Sequence, residues 1–187
     1  MAEQKIKNEI LAIPNLLCYL RILLIPVFCV LYLRGDYSIA AIVLAVAAIT
    51  DKLDGTIARK FNMITNLGKI IDPIADKLMQ IAVALCLSIT YSWMWILLVV
   101  LVIKEIYMGM MGIRNLKSGQ KIYGALWFGK ICTIVLFISM IILVMLPAAE
   151  RVIAHTLIII NVIFMLFSLI MYALTFHKMK KDESSIQ

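Results

Sequence analysis

Charge is scarce in this sequence. Of its 187 residues 16% are charged and 64% are hydrophobic, whereas soluble domains are about half apolar. That shortage excludes a water-facing surface along most of the chain, and with it a soluble globular class. Polar stretches are too short for a separate soluble domain, and there is neither an internal repeat nor a low-complexity tract. The N-terminal MAEQKIKNEILAIPN is polar and charged, and the first apolar run leads into no small-residue cleavage site, so no cleavable signal peptide is expected. The four cysteines, Cys18, Cys29, Cys86 and Cys132, all fall inside apolar runs, where a free thiol behaves as a small hydrophobe. They are read as packing and say nothing of an oxidising compartment. The formal charge of +7 is scattered over loops and helix ends, which argues against nucleic acid and for anionic lipid headgroups as partners.

What the sequence has in abundance is apolar runs of membrane length. A bilayer core of about 30 Å is crossed by a helix of about 20 residues. Spans are predicted at 15–34, 37–60, 68–91, 93–114, 122–146 and 151–177, separated by breaks at Gly35-Asp36, 62–66, Tyr91-Ser92, 118–120 and Pro147. The expectation is an all-α integral membrane protein of one domain, 1–187. It comprises a short amphipathic surface helix over 1–13, a six-helix bundle over 15–177 and a tail over 178–187. Lys and Arg accumulate on the cytoplasmic side of membranes. With the N-terminus inside, one side collects Lys5, Lys7, Arg59, Lys60, Lys69, Arg114, Lys117, Lys121, Lys178, Lys180 and Lys181, and the other only Arg34 and Arg151. Both termini are therefore expected in the cytoplasm. Trp93, Trp95, Trp127, Tyr91 and Tyr123 fall near span ends, as an interfacial aromatic belt does. His155 is read as structural.

Against this background the stretch 51–77, DKLDGTIARKFNMITNLGKIIDPIADK, stands out for its four aspartates. Helical spacing aligns Asp51 with Asp54 and Asp72 with Asp76, and the two pairs are predicted to face each other across a short turn at the cytoplasmic ends of spans two and three. Carboxylates so gathered repel one another and lose hydration unless positive charge lies between them. Hard divalent cations bind oxygen ligands, Mg2+ commonly with substrate phosphates, and two ions about 3.5–4 Å apart can clamp a transferring phosphoryl centre. Gly55, Ala58 and Gly68 keep helix faces free of bulk, and Arg59 can pair with an aspartate or reach a phosphate. Pro73 is expected in the first turn of its helix, where its missing N–H costs little. Structural pairing of the acids with Lys52, Arg59, Lys69 and Lys77 is the plainer alternative for any one of them. It weakens for the spaced set, because intramembrane ionisable groups are functional by default.

The spacing Asp51-x2-Asp54-Gly55-x2-Ala58-Arg59-x8-Gly68-x3-Asp72-x3-Asp76 resembles the motif of the CDP-alcohol phosphatidyltransferases at all eight fixed positions. The resemblance implies two divalent ions, Mg2+ or Mn2+, on Asp51, Asp54, Asp72 and Asp76. It implies a CDP site formed by Asp54, Gly55, Ala58, Arg59 and Gly68, and Asp76 as the catalytic base that deprotonates the acceptor alcohol. The implied reaction is attack on the β-phosphorus of CDP-diacylglycerol with release of CMP. A homodimer in the cell membrane, its active site on the cytoplasmic side, is also implied.

The acceptor is read elsewhere. IPNLLCYLRILLIPVF at 13–28, with Pro14, Asn15, Arg21 and Pro26, is similar to the N-terminal region of the phosphatidylglycerophosphate synthases, as are Asp72-Pro73-Ile74-Ala75-Asp76-Lys77 and Gly129-Lys130-x2-Thr133. Glycerol 3-phosphate is the acceptor so implied, with its phosphate near Lys130; snorkelling to the interface is the other reading of that lysine. KEIYMGMMGIR at 104–114 departs from the subfamily's Arg-Glu and following Thr-Gly-Leu-Arg, and Arg114 stands two residues beyond the expected arginine. Phosphatidylglycerol, as in a cardiolipin synthase, is the nearest alternative acceptor. A small cation transporter is the alternative from another class, although transporter sites favour broken helices near the midplane.

Overall fold

The computed structural model describes residues 12–61, 63, 65, 67–117, 127–147 and 151–184, and among these there are six helices and no strand. They are α1 (Ile13–Arg34), α2 (Tyr37–Lys60), α3 (Gly68–Thr90), α4 (Met94–Lys117), α5 (Trp127–Met145) and α6 (Arg151–Ser184). The boundaries follow the predicted spans closely, except that α6 remains helical through Ser184, past the predicted end at 177; the predicted start of the fifth span, 122–126, lies outside the described residues. The surface helix expected over 1–13 lies almost wholly outside the described residues.

Five of the six helices are long and apolar enough to cross a membrane, α2 being the sixth. Its 24 residues are sufficient in length, but Asp51, Lys52, Asp54, Arg59 and Lys60 leave it only the apolar run 39–49. The acids that make it interesting are what set it apart.

Two compact units make up the fold. The first takes Met1–Thr90 with Met140–Ala148, the second Tyr91–Ser139 with Ala149–Gln187. In the first, α1 packs against both α2 and α3 and carries most of the helix contact. At one end Asn15 of α1 meets Thr65 just before α3, and at the other Tyr32 shares a 2.7 Å hydrogen bond with Thr90 of α3. Thus α1 and α3 run parallel. The chain reverses from α1 to α2 at Gly35, whose φ of 87° suits the left-handed cap of a helix end. Its N–H bonds the Tyr32 carbonyl and that of Asp36 bonds Leu31.

The distribution of side chains is that of a protein surrounded by apolar solvent. Leu16, Leu20, Leu23, Val27, Val30 and Leu33 stand exposed along one face of α1, while Asn15, Cys18 and Arg21 are buried on another. Pro73 departs from expectation. With α3 starting at Gly68, it lies in the second turn, where a proline removes the hydrogen bond to the carbonyl four residues back and bends the helix.

In the second unit α4 packs on α6, and Trp93 stacks on His155 with ring centroids 4.5 Å apart, which agrees with a structural histidine. Gly129 of α5 is there because Tyr172 of α6 needs the space. A Cβ at this position would land on the tyrosine hydroxyl, with the ring carbons at 3.1 and 3.2 Å. Phe128 packs edge-on against the same ring at 4.7 Å. Gly129→Ala is expected to cost about 1–3 kcal/mol by overpacking, read as a lowered unfolding temperature in detergent; an unchanged value would mean that Tyr172 swings aside freely.

Candidate functional site: an arginine among aspartates

The acids of the first unit do not simply face one another. Arg21 of α1 stands between them, 1% exposed, with its guanidinium touching three carboxylates from two helices. Nη2 lies 2.5 Å from Asp54 Oδ2, and Nη1 lies 3.0 Å from Asp51 Oδ1 and 3.3 Å from Asp72 Oδ1. A planar guanidinium with several fixed donors is suited to such a junction. Burial differs sharply within the set: Asp54 is 2% exposed, whereas the side chains of Asp51 and Asp72 are 40% and 43% exposed. Asp54 is therefore the acid that most needs a counter-charge.

One guanidinium does not balance three carboxylates, and two negative charges remain. Asp54 Oδ1 is buried without a hydrogen-bond partner. Asp76 stands slightly apart. Its Oδ2 accepts from Gln80 at 2.9 Å and pairs with Lys77 at 3.2 Å, while its Oδ1 is buried and unpartnered. Its charge nevertheless acts on Asp51.

Beside the acids opens a cavity of about 150 Å³ lined by Cys18, Asp54, Gly55, Ala58, Gly68 and Asp72, among others. At about 30 Å³ per water, it has room for about five water-sized groups. Of the residues expected to form a nucleotide site, Asp54, Gly55, Ala58 and Gly68 meet here; the Arg59 side chain lies outside the described residues. Gly68 has a packing reason, since a Cβ would strike Asn15 Oδ1 and approach Thr65 Oγ1 to 2.8 Å. Thr65 in turn accepts the Gly68 N–H at 2.9 Å and the Asn15 amide at 3.0 Å, which fixes the start of α3 against α1.

The remaining expected residues belong to the second unit. Arg114 of α4 and Lys130 of α5 are both exposed there. Lys104 is buried and pairs with Glu105 at 2.8 Å.

Residue-by-residue reading gave Arg21 no role. The available signal was electrostatic: a lone arginine within an apolar span costs several kcal/mol unless paired, and the acids of 51–76 were the partners on offer. Cys18 was read as packing, yet it lies in contact distance of two of the acids, with Sγ 3.6 Å from Asp54 Oδ2 and 3.7 Å from Asp72 Oδ1. The described residues thus include one group, Cys18, Asp54 and Asp72, whose donor atoms are spaced so that a metal ion can join them.

Fold and site together define a multi-pass membrane protein whose first unit gathers Asp51, Asp54 and Asp72 around Arg21. The sequence model of the family described as CDP-alcohol phosphatidyltransferase matches residues 11–174, and the chain belongs to that family. It is 49% identical over 80 residues to a CDP-diacylglycerol–glycerol-3-phosphate 3-phosphatidyltransferase of Pseudomonas fluorescens, covering 41% of this chain and 40% of that one. To the Bacillus subtilis protein of the same name it is 34% identical over 137 residues, 65% of this chain and 70% of that one. A cardiolipin synthase/mitochondrial hydrolase fusion protein of Schizosaccharomyces pombe is 34% identical over 87 residues, 46% of this chain and 15% of the relative. The matched stretch thus spans less than half of the Pseudomonas relative.

Removing one partner from a buried ion pair costs about 3–5 kcal/mol, because the other charge is stranded. Arg21→Met is expected to lower stability by about that amount in chelator, with part of the loss restored by millimolar Mg2+ or Mn2+. Thermal unfolding in detergent with and without the ion measures both, and a variant as stable as the parent in chelator would show that the acids need no cation to converge.

Proposed function

We propose that this chain transfers the phosphatidyl group of CDP-diacylglycerol to glycerol 3-phosphate, releasing CMP and forming phosphatidylglycerophosphate. The observation that carries the reading is the convergence of Asp54, Gly55, Ala58, Gly68 and Asp72 on one cavity, with Asp51 bound to the guanidinium that also holds Asp54 and Asp72. Asp51, Asp54, Asp72 and Asp76 would hold two divalent ions, Mg2+ or Mn2+. The unpartnered buried oxygens on Asp54 and Asp76 and the excess negative charge fit such a group. When bound, the ions neutralise charge on the diphosphate.

The chain's own residues supply the rest. Gly55, Ala58 and Gly68 leave room for the nucleotide, and Arg59 steadies an acid or the diphosphate. Asp76 takes the proton of the acceptor hydroxyl. Its Oδ2 is held by Gln80 and Lys77, which leaves Oδ1 as the oxygen without a partner. The hydroxyl oxygen then bonds to the β-phosphorus as the bond to CMP breaks. Lys130 and Arg114 are assigned to the acceptor's phosphate. The loop charges support a cell-membrane protein with the site and both termini on the cytoplasmic side, and the reading includes a homodimer.

Transfer to phosphatidylglycerol is the second reading, favoured by the similarity to the fission-yeast cardiolipin synthase fusion and by Lys104-Glu105 where the phosphatidylglycerophosphate synthases carry Arg-Glu. Purified protein given CDP-diacylglycerol and Mg2+ with glycerol 3-phosphate, phosphatidylglycerol, inositol phosphate or serine separates them by CMP release and by mass spectrometry of the lipid. Glycerol 3-phosphate is the expected acceptor. Asp76→Asn should lose about 10²-fold or more in turnover while still binding the CDP-lipid. Absence of CMP with every acceptor, or near-normal turnover of Asp76→Asn, contradicts the assignment.

A further inference from the structure

Cys18 is the group in the site that the transfer reading leaves idle. Its sulfur lies 3.6 and 3.7 Å from one oxygen each of Asp54 and Asp72. For hydrogen bonds these are long, but they are the edges of a coordination shell. A tetrahedral ion with bonds of about 2.3 Å to sulfur and about 2.1 Å to oxygen has sulfur–oxygen edges of about 3.6 Å. Each of the three residues offers one donor atom, and all three atoms lie within 4.8 Å of one another.

A separate observation points to a ligand at the same place. Asp54 is 2% exposed, its Oδ1 has no hydrogen-bond partner, and it lines the cavity that Cys18 also lines. The Arg21 contacts do not forbid an ion. A carboxylate oxygen has more than one lone pair, so Asp54 Oδ2 and Asp72 Oδ1 can keep the guanidinium while ligating, and hydrogen bonds of this kind orient metal ligands.

We infer that Cys18, Asp54 and Asp72 form a mixed sulfur–oxygen site for a thiophilic divalent cation of the zinc and cadmium class. Oxygen ligands alone suit hard ions, and a thiolate turns the preference towards softer ones. Three protein ligands leave a fourth position facing the cavity, as in open zinc sites. Binding displaces the thiol proton to solvent. Because the ion takes two of the acids assigned to the transferring centre, it would also inhibit transfer; only that last consequence rests on the proposed function.

The direct test titrates the purified full chain in detergent with Cd2+ alone and follows the ultraviolet thiolate-to-cadmium charge-transfer band. Cys29 and Cys86 are neighbouring free thiols that compete for Cd2+, so the diagnostic component is the one that depends on an acid as well as on sulfur. Cys18→Ser and Asp54→Asn, both near-isosteric, should each weaken that component at least about tenfold. Cd2+ binding by either variant equal to that of the parent overturns the inference. A protein that binds Cd2+ through Cys18 but releases no CMP retains this site and loses the transfer reading, whereas CMP release without Cys18-dependent binding does the reverse.

Discussion

The contact between Arg21 and Asp54 organises everything else in the first unit. Both groups are almost wholly buried, and taking two charges out of water costs several kcal/mol each before their attraction repays it. The repayment requires close geometry, and the geometry requires α1 to lie against α2 and α3 at once. Asn15, Thr65 and Gly68 lock the parallel helices α1 and α3 at the acid end, and Tyr32 with Thr90 locks them at the other. The helix that carries Arg21 is thereby held between its acid partners.

A guanidinium in this position makes the site deficient in positive charge without making it unstable. Arg21 neutralises enough of the cluster for Asp51, Asp54 and Asp72 to approach, and leaves a surplus that an ion can satisfy. Small residues along the same cavity leave the approach clear. Phosphate chemistry is what we propose for this acid cluster, and the cavity of about 150 Å³ fits that role. Lys130 and Arg114, the residues proposed for the acceptor's phosphate, belong to the second unit and are exposed there.

The helices were legible in the sequence because membrane spans are written as apolar length, and Gly35, the stretch after Lys60 and the turn at Tyr91 mark their ends clearly. The acids were legible because four aspartates have no other business in such a chain. What escaped was the way they are brought together. Asp51 and Asp54 were expected to face Asp72 and Asp76 directly, whereas α1 stands between the two helices and Asp76 turns to Gln80 and Lys77. Periodicity says which residues share a face of one helix, but it does not say which third helix supplies the counter-charge. Cys18 escaped for a related reason: an isolated thiol in an apolar run has the same pattern whether it packs against leucine or against carboxylates. Pro73 was misplaced by a turn: counted from Gly68, where both the predicted span and α3 begin, it is the sixth residue, and its missing N–H interrupts the ladder.

The central claim is that the acids converge to hold divalent cations beside Arg21, and anomalous scattering from crystals of the full chain soaked in Mn2+ tests it most directly. The expected result is Mn2+ density in contact with Asp51, Asp54 and Asp72, extending towards Asp76, with Arg21 still bonded to Asp54. Density elsewhere, or none at all while Arg21 holds the three acids unchanged, would contradict it.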